Sequence, residues 1–387
     1  MPLPDDLNRT DGPTILVNDS KGPTLVQFRG SFLKAMVAKG HRVHVTAPDL
    51  EGAIIAELRA LGVVPHSVPL ARTGLNPVAD LTYIRSIRRL IRETGPDLVI
   101  NYTIKPNIWG SLAARSLGVR SISIVTGLGY AFIDSGQGKQ RLASAVARSL
   151  YKVATAGNHR VVFQNPDDRD HFIREGILAD PAKARLVNGS GVDMAHYRPV
   201  PLPDAPIFLM VSRLLGNKGV REFAAAAKSL LQRRPDVRCR LAGFIDVGPD
   251  GVRQSELDGW IRDGIEYLGN LSDVRPAIAE ASVFVLPSYR EGTPRSVLEA
   301  MAMGRPIITT DVAGCRETVV HGTNGLLVPV KDAVALAEAM EELADRPDVR
   351  AEMGRESIDY CRAKFDVQAV NARLLDITGL AGDGDEA

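Results

Sequence analysis

Two short segments in the second half of the chain hold residue types, at spacings, that could receive and release an anion. The first is Glu291-Gly292-Thr293-Pro294-Arg295-Ser296-Val297-Leu298-Glu299. It follows the apolar run 283–286 and opens a helical pattern that reaches about residue 303. Thr293 suits the N-cap, and Pro294 suits the first helical position, where a missing N–H is no loss. The N–H groups near Arg295 and Ser296 would then point off a sheet edge with the positive end of the helix dipole, which makes an anion site. Glu291 precedes the cap and Glu299 lies about one and a half turns inside the helix, so the carboxylates fall on the order of 10 Å apart. That separation suits one carboxylate for the hydroxyls of a sugar and the other for those of a ribose, with a diphosphate between. The plainer alternative is a solvated helix with two surface glutamates.

The second segment is Ser212-Arg213-Leu214-Leu215-Gly216-Asn217-Lys218-Gly219, which ends the apolar run 207–212 and precedes another helical pattern. A planar guanidinium and a mobile ammonium at the same sheet edge as Glu291 can together neutralise a diphosphate. Basic residues in a strand-to-helix loop are otherwise ordinary surface charge. Their occurrence together with the glutamate pair favours a functional reading.

These loops need open parallel sheets to hold them. Short β-branched runs at 14–18, 42–46, 63–68, 97–101, 121–125 and 160–164 alternate with helical patterns at 31–39, 53–61, 78–93, 108–117 and 140–154. The second half repeats the scheme, with runs at 207–212, 238–242, 266–268, 283–286, 307–310 and 326–328. Continuous apolar strands between helices predict an α/β fold of two doubly wound, Rossmann-like domains. Pro199, Pro201, Pro203 and Pro206 crowd the segment 196–206, which therefore reads as a linker. The predicted division is 1–198, 199–366, and a C-terminal helix with a disordered tail over 367–387. Ligands of such sheets bind at the carboxyl ends of the strands, so the site is expected in a cleft between the two domains.

Composition narrows the remaining classes. The 387 residues can form two sizeable cores, and 45% hydrophobic with 24% charged residues is ordinary for a globular protein. A net charge of +1 gives no broad nucleic-acid footprint, so no nucleic-acid partner is expected. Cys239, Cys315 and Cys361 lie far apart and fit neither a disulfide framework nor a zinc site, which makes a reducing cytoplasm the simplest setting. Met1-Pro2-Leu3-Pro4-Asp5-Asp6 does not read as a signal peptide. The most apolar stretch, from Ser121 to Ile133, is about 13 residues long and is broken by Gly127 and Gly129, too short to span a bilayer.

With these residues in view, the sequence resembles the retaining GT-B glycosyltransferases of family 4. The family's Ser-Arg-x4-Lys-Gly loop corresponds to Ser212-Arg213…Lys218-Gly219, and its Glu-x7-Glu motif to Glu291…Glu299. Thr103-Ile104-Lys105-Pro106, Thr126-Gly127-Leu128-Gly129-Tyr130 and Glu291-Gly292-Thr293-Pro294-Arg295 resemble a narrower branch. That branch builds bacterial lipid-linked oligosaccharides and exopolysaccharides, and includes the undecaprenyl-diphosphate-linked N-acetylgalactosaminyltransferases. The resemblance covers nearly the whole chain beyond the first dozen residues.

The resemblance implies a hexosyltransferase using a nucleotide-diphosphate sugar, UDP-linked by family habit, and a polyprenyl-diphosphate-linked saccharide acceptor. It implies that Arg213 and Lys218 bind the donor diphosphate, that Glu291 contacts the donor sugar, and that Glu299 holds the ribose. Gly292, Thr293, Pro294, Arg295 and Ser296 would shape the surroundings of the sugar and phosphates, and Asn270 and Leu271 would border the base. Phe28, Arg29, Lys105, Thr126, Gly127 and Tyr130 would face the acceptor. Retention without an obligatory covalent intermediate is part of the same implication, with a diphosphate oxygen taking the acceptor proton. Two departures limit the transfer. The first loop reads Asn18-Asp19-Ser20-Lys21-Gly22-Pro23 where many relatives are glycine-rich, and Thr126-Gly127 stands where many have a histidine.

No cofactor and no metal are expected. Asp168-Arg169-Asp170 has the Asp-x-Asp form but reads as the acidic first turn of a helix, and His41 and His44 lie on opposite faces of a strand. Arg85, Arg88, Arg89 and Arg92 on one helix, and Arg141, Arg148 and Lys152 beside Leu142, Val146 and Leu150 on another, offer basic faces. With a lipid-linked acceptor, these imply peripheral association with the inner face of the cytoplasmic membrane. Ordinary amphipathic helices would look the same. The competing functions are another GT-B enzyme, an epimerase of nucleotide sugars or a phosphorylase, and a noncatalytic nucleotide-sugar-binding scaffold.

Overall fold

The computed structural model describes residues 12–71, 74, 76–128, 139–246 and 250–381. The chain divides into one unit of residues 1–190 with 370–387 and a second of residues 191–369. Each unit is a twisted, all-parallel sheet with helices in the connections.

The first unit has strands β1 (Thr14–Asn18), β2 (Arg42–Ala47), β3 (Val64–Ser67), β4 (Leu98–Tyr102), β5 (Arg120–Val125), β6 (Arg160–Phe163) and β7 (Ala184–Leu186), in the order β3-β2-β1-β4-β5-β6-β7. Every residue of β4 is buried, as a strand covered by helices on both faces requires. Chain direction through the sheet reverses beside β1, where Ile15 is in register with Val43 on one side and Leu98 on the other. The second unit has β8 (Ile207–Val211), β9 (Arg238–Ala242), β10 (Glu266–Tyr267), β11 (Val283–Leu286), β12 (Ile307–Thr310) and β13 (Gly325–Val328), in the order β10-β9-β8-β11-β12-β13. Its core is built on Phe208, Met210, Phe223, Leu230, Val283, Val285, Leu298 and Met301. Here the reversal lies between β8 and β11, with Phe208 in register with Val283. A doubly wound sheet opens a crevice at that point because the connections leave to opposite faces.

Some elements among the described residues were not anticipated. Strand β7 has only three half-buried residues, too few to show a period, and Gly22–Gln27 forms a short helix in what reads as a loop. The division of the chain also falls elsewhere than in the proline-rich segment. Arg305 is fully buried and donates to the carbonyls of Val200 and Pro201, as well as Ala279, Ala281 and Met303. Arg350 donates to Asp204 O at 2.9 Å. The prolines bar regular structure, but these guanidinium contacts fasten the segment to the second unit, so it is not a free linker. The helix Val367–Thr378 leaves that unit and packs Val370, Leu374, Leu375 and Ile377 into a core with Ile15, Val17 and Phe32.

The three cysteines are buried and unpaired. Asp167 and Asp168 occupy the first turn of the helix Pro166–Arg174, and Asn165 caps it by accepting from Asp168 N at 2.8 Å. His41 contacts Leu380 O at 3.0 Å, while His44 pairs with His66 across β2 and β3 at 2.9 Å. Among the described residues no helix is long and apolar enough to cross a membrane, and no group of three or more His, Cys, Asp or Glu side chains sits together as metal ligands do. Met1 to Asp6, Tyr130, the side chains of Arg141 and Leu142, and the tail 382–387 lie outside the described residues.

Candidate active site

The loops after β8 and β11 meet at the reversal of the second sheet, and backbone contacts close the junction. Gly219, with φ +72°, brings its Cα so near β11's following loop that a Cβ would lie 2.0 Å from Pro287 O. Tyr289 N donates to Asn217 O at 2.9 Å across the same junction. Asp250 anchors the other side of the β8 loop, accepting from Asn217 N at 2.6 Å through its carboxylate and from Gly216 N at 2.8 Å through its carbonyl. The ammonium of Lys218 is thereby set directly against Glu291 Oε1.

Glu291 is fixed from three directions. Ser288 Oγ donates to its Oε1 at 2.8 Å, and Glu291 N donates to Ala313 O at 3.0 Å. Gly314, at φ +81°, lies under the peptide that follows; a Cβ there would be 2.2 Å from Glu291 O and 2.7 Å from Gly292 O. Thr310, at the end of β12, donates to Ser288 O and holds the neighbouring turn. Lys218 and Glu291 are only 18% and 13% exposed, so the pair sits in a partly dehydrated corner where an entering anion would exchange with the carboxylate for the ammonium. Nearby Cys315 is no candidate nucleophile: burial, with Glu291 adding to it, pushes its thiol up to about 12.

The helix that carries Glu299 runs Arg295–Ala302, one residue later than the sequence reading placed it. Pro294 has ψ 107°, an extended conformation, and so is the N-cap itself. Thr293 is outside the helix, and its Oγ1 donates to Gly292 O at 3.0 Å instead of capping. Val297 N is the first to reach a carbonyl of the turn, Pro294 O at 3.1 Å, while the Ser296 N–H before it has no helical carbonyl to bind. The helix start is thus shifted by one residue, with the Ser296 N–H outside its hydrogen-bond ladder. Glu299 Oε1 accepts from Tyr197 OH at 2.9 Å and from Arg295 Nε at 3.2 Å. Burial raises the Glu299 pKa, and Arg295 and Tyr197 oppose it.

Arg213, on the same loop as Lys218, turns its half-exposed guanidinium to Asp246 Oδ2 at 3.1 Å. Its loop needs Gly243 (φ +143°), whose Cβ would fall 1.8 Å from Ser212 O. Asn270 and Leu271 follow β10 at the far side of the same sheet edge, with Leu271 packed on the core. Tyr197, Ser288, Asp246 and Gly314 were missed by the sequence reading. Ser288 and Gly314 had a signal, since each closely follows an apolar run, whereas Tyr197 and Asp246 are brought in only by folding.

Of the expected acceptor-side residues, Phe28, Arg29, Lys105, Thr126 and Gly127 are described, and they lie in the loops of the first unit near the carboxyl ends of its strands. Arg29 is buried, 3.4 Å from Asp19 Oδ2, and lies 4.1 Å over the ring of Tyr102. It also donates to Ser190 Oγ at 2.6 Å. Lys105 pairs with Asp80 at 2.8 Å. Both cations thus have internal partners, and burial raises the Asp19 pKa against the pull of Arg29. Thr103, the residue after β4, has φ +70°, an uncommon conformation outside glycine. Phe28 is half-buried, as are Thr126 and Gly127 just after β5.

Comparison with known proteins fits this architecture. Residues 27–189 match the glycosyl transferase 4-like domain and residues 205–346 match the glycosyl transferases group 1. The chain is 28% identical over 369 residues to the N,N'-diacetylbacillosaminyl-diphospho-undecaprenol alpha-1,3-N-acetylgalactosaminyltransferase of Campylobacter jejuni, covering 92% of this chain and 95% of the relative. It is 26% identical to the UDP-Gal:alpha-D-GlcNAc-diphosphoundecaprenol alpha-1,3-galactosyltransferase of Escherichia coli, covering 72% and 74% of the two chains. Among solved structures, Anabaena HepE in complex with UDP-glucose superposes with a TM-score of 0.75 at 19% identity, over 94% of this chain and 99% of the other. With two family models taking up most of its length and two Rossmann-like sheets of the same architecture, the chain belongs to the GT-B glycosyltransferases of family 4.

Proposed function

We propose that this glycosyltransferase moves a hexose or N-acetylhexosamine, with retention, from a UDP-linked donor to a polyprenyl-diphosphate-linked saccharide during bacterial surface-polysaccharide or glycan assembly. One observation carries the donor half: Lys218 and Glu291 meet beside a helix start, at the point of the second sheet where an anionic ligand is best received. Lys218 and Arg213 would take the diphosphate, Glu291 the sugar and Glu299 the ribose. The developing charge on the departing diphosphate is the largest quantity to stabilise, and fixed cations with oriented N–H groups do this without reorganising. A diphosphate oxygen would accept the acceptor proton. The UDP-glucose bound by Anabaena HepE and the undecaprenyl-linked substrates for which the two relatives are named support this choice of ligands.

Membrane contact belongs to the same proposal. Along one face of the helix Pro77–Thr94, Val78 (77% exposed) and Leu81 (45% exposed) are followed by exposed Arg85, Arg89 and Arg92. That order of apolar and cationic residues suits an anionic lipid surface. The decisive experiment incubates the full chain with a panel of nucleotide sugars and lipid-diphosphate saccharides, reading products by mass spectrometry and the new anomeric centre by NMR. The expected result is a single added hexosyl residue with the donor's configuration, together with flotation on anionic vesicles. Conversion of the nucleotide sugar without an acceptor, or a requirement for inorganic phosphate, would instead establish an epimerase or a phosphorylase. Nucleotide binding with no turnover would establish a scaffold.

A further inference from the structure

We infer that Tyr197 is a positioning residue of the donor site, holding Glu299 so that one of its oxygens is kept for ribose hydroxyls and the enzyme discriminates against donors lacking them. The inference rests on the donor assignment above and goes beyond it by naming a residue outside both sequence motifs. Tyr197 OH and Arg295 Nε both donate to the same atom, Glu299 Oε1, at 2.9 and 3.2 Å. Glu299 Oε2 accepts no hydrogen bond from the described residues, although the side chain is only 12% exposed. Two donors on one oxygen fix the plane of a carboxylate and leave the lone pairs of the other oxygen directed outward. A vicinal diol is a ligand that such an oxygen recognises, because it can accept from either hydroxyl.

Tyr197 is itself held firmly. Its backbone N–H donates to Asp193 O at 2.9 Å, and the Asp193 carboxylate accepts from Ala195 N at 2.9 Å and from His196 N at 3.2 Å. Val192 at the base of this turn is tied to Phe365 and Val367 through 2.8 and 3.1 Å backbone bonds. The His196 ring stands edge-on to the phenol, with centroids 4.9 Å apart. A rigid donor on a rigid turn orients its acceptor with little loss of entropy on binding. Burial and the Glu299 charge both raise the Tyr197 pKa, so the phenol keeps its proton and remains a donor. The charged groups bearing on this pair are Arg295 from the same helix, and Asp273 and Arg275 from the segment packed beside Tyr197.

The test uses the full-length wild type and Tyr197→Phe, which keeps the ring and removes only the hydroxyl. Affinities for UDP, ADP and GDP, and for the 2′,3′-dideoxy form of each, are measured by calorimetry. The wild type is expected to prefer its ribonucleotide over the dideoxy form by about tenfold or more, the worth of one or two hydrogen bonds to a charged group. In Tyr197→Phe this ratio is expected to fall to about threefold or less, with affinity for the dideoxy form nearly unchanged. A second readout is the pH profile. The ionised carboxylate binds the diol, so affinity is lost as pH falls through the Glu299 pKa. Removing a donor to the carboxylate raises that pKa, so the loss begins at higher pH in Tyr197→Phe. An unchanged ribose-to-dideoxyribose ratio together with an unchanged pH profile overturns the role of Tyr197 while leaving the donor site standing. Failure of the wild type to bind any of the three nucleotides overturns both.

Discussion

Replacement of Lys218 by alanine tests the centre of the proposed chemistry. The ammonium lies against Glu291 in a corner where both side chains are less than one-fifth exposed, so water replaces its charge poorly. At an effective dielectric of about 20, a unit charge some 4 Å from a phosphate oxygen is worth roughly 4 kcal/mol, and loss of one preorganised donor to developing charge typically lowers kcat by about 100- to 1,000-fold. A fall of that size in kcat is expected for Lys218→Ala, and a comparable one for Glu291→Ala. The stability effect should be smaller. Glu291 retains Ser288 Oγ at 2.8 Å, so the lost pair is expected to lower stability by about 1–2 kcal/mol. Single-turnover and steady-state rates at saturating donor and acceptor would be compared with calorimetric melting. Lys228→Ala serves as the control, since that ammonium pairs with Asp263 on the surface and is 52% exposed. If Lys218→Ala and Glu291→Ala stay within about threefold of the wild-type kcat, the assignment of this corner to the leaving group is wrong, whatever their stability.

Other perturbations follow from the local surroundings of particular residues. Gly314→Ala should lower donor affinity and melting temperature together, by about 2–4 kcal/mol in stability, because the new Cβ would enter the Glu291 peptide. Gly322→Ala, with φ +80° and nothing within 4 Å, should show only the smaller backbone strain, about 1 kcal/mol, and normal donor affinity. Arg305→Leu should weaken the second unit by about 3–5 kcal/mol in denaturant unfolding, since several buried carbonyls lose a charged donor; Arg305→Lys, with fewer donors, should rescue little. The half-buried His44 is held down to about 4, first by the burial of its ring and then by His66 and Arg42, and burial also lowers His66. The unfolded state therefore takes up protons first on acidification. Stability from the neutral pair is fully present above pH ~6.5 and falls towards pH ~4, and His44→Gln should flatten that part of the melting-temperature profile.

The ion pairs of the proposed donor site lie among residues of the second unit. Lys218, Arg213 and Arg295 each face a carboxylate: Glu291, Asp246 and Glu299 respectively. In the proposed donor site a diphosphate would exchange the carboxylate partners of Lys218 and Arg213 for phosphate oxygens instead of filling a bare cationic pocket. Specificity then depends on which carboxylates are freed and what hydroxyls they meet.

The parallel-sheet architecture, and the sheet edge on which the motif residues stand, are legible in the order of amino acids alone. An apolar run such as 283–286 can be read because a strand covered on both faces is apolar along its whole length, a local requirement. The two motifs follow such runs, so their place at the carboxyl ends needed no tertiary information. The partners, by contrast, come only with folding. That Lys218 meets Glu291, 73 residues away, and that Tyr197 meets Glu299, 102 residues away, depends on strand order, which composition and period do not encode. The same holds for the boundary: prolines mark where regular structure stops, but the buried charge of Arg305 determines which unit claims the segment. The one-residue shift of the helix start has a local cause, since the same proline can serve as cap or as first helical residue, and the ψ of Pro294 makes the choice.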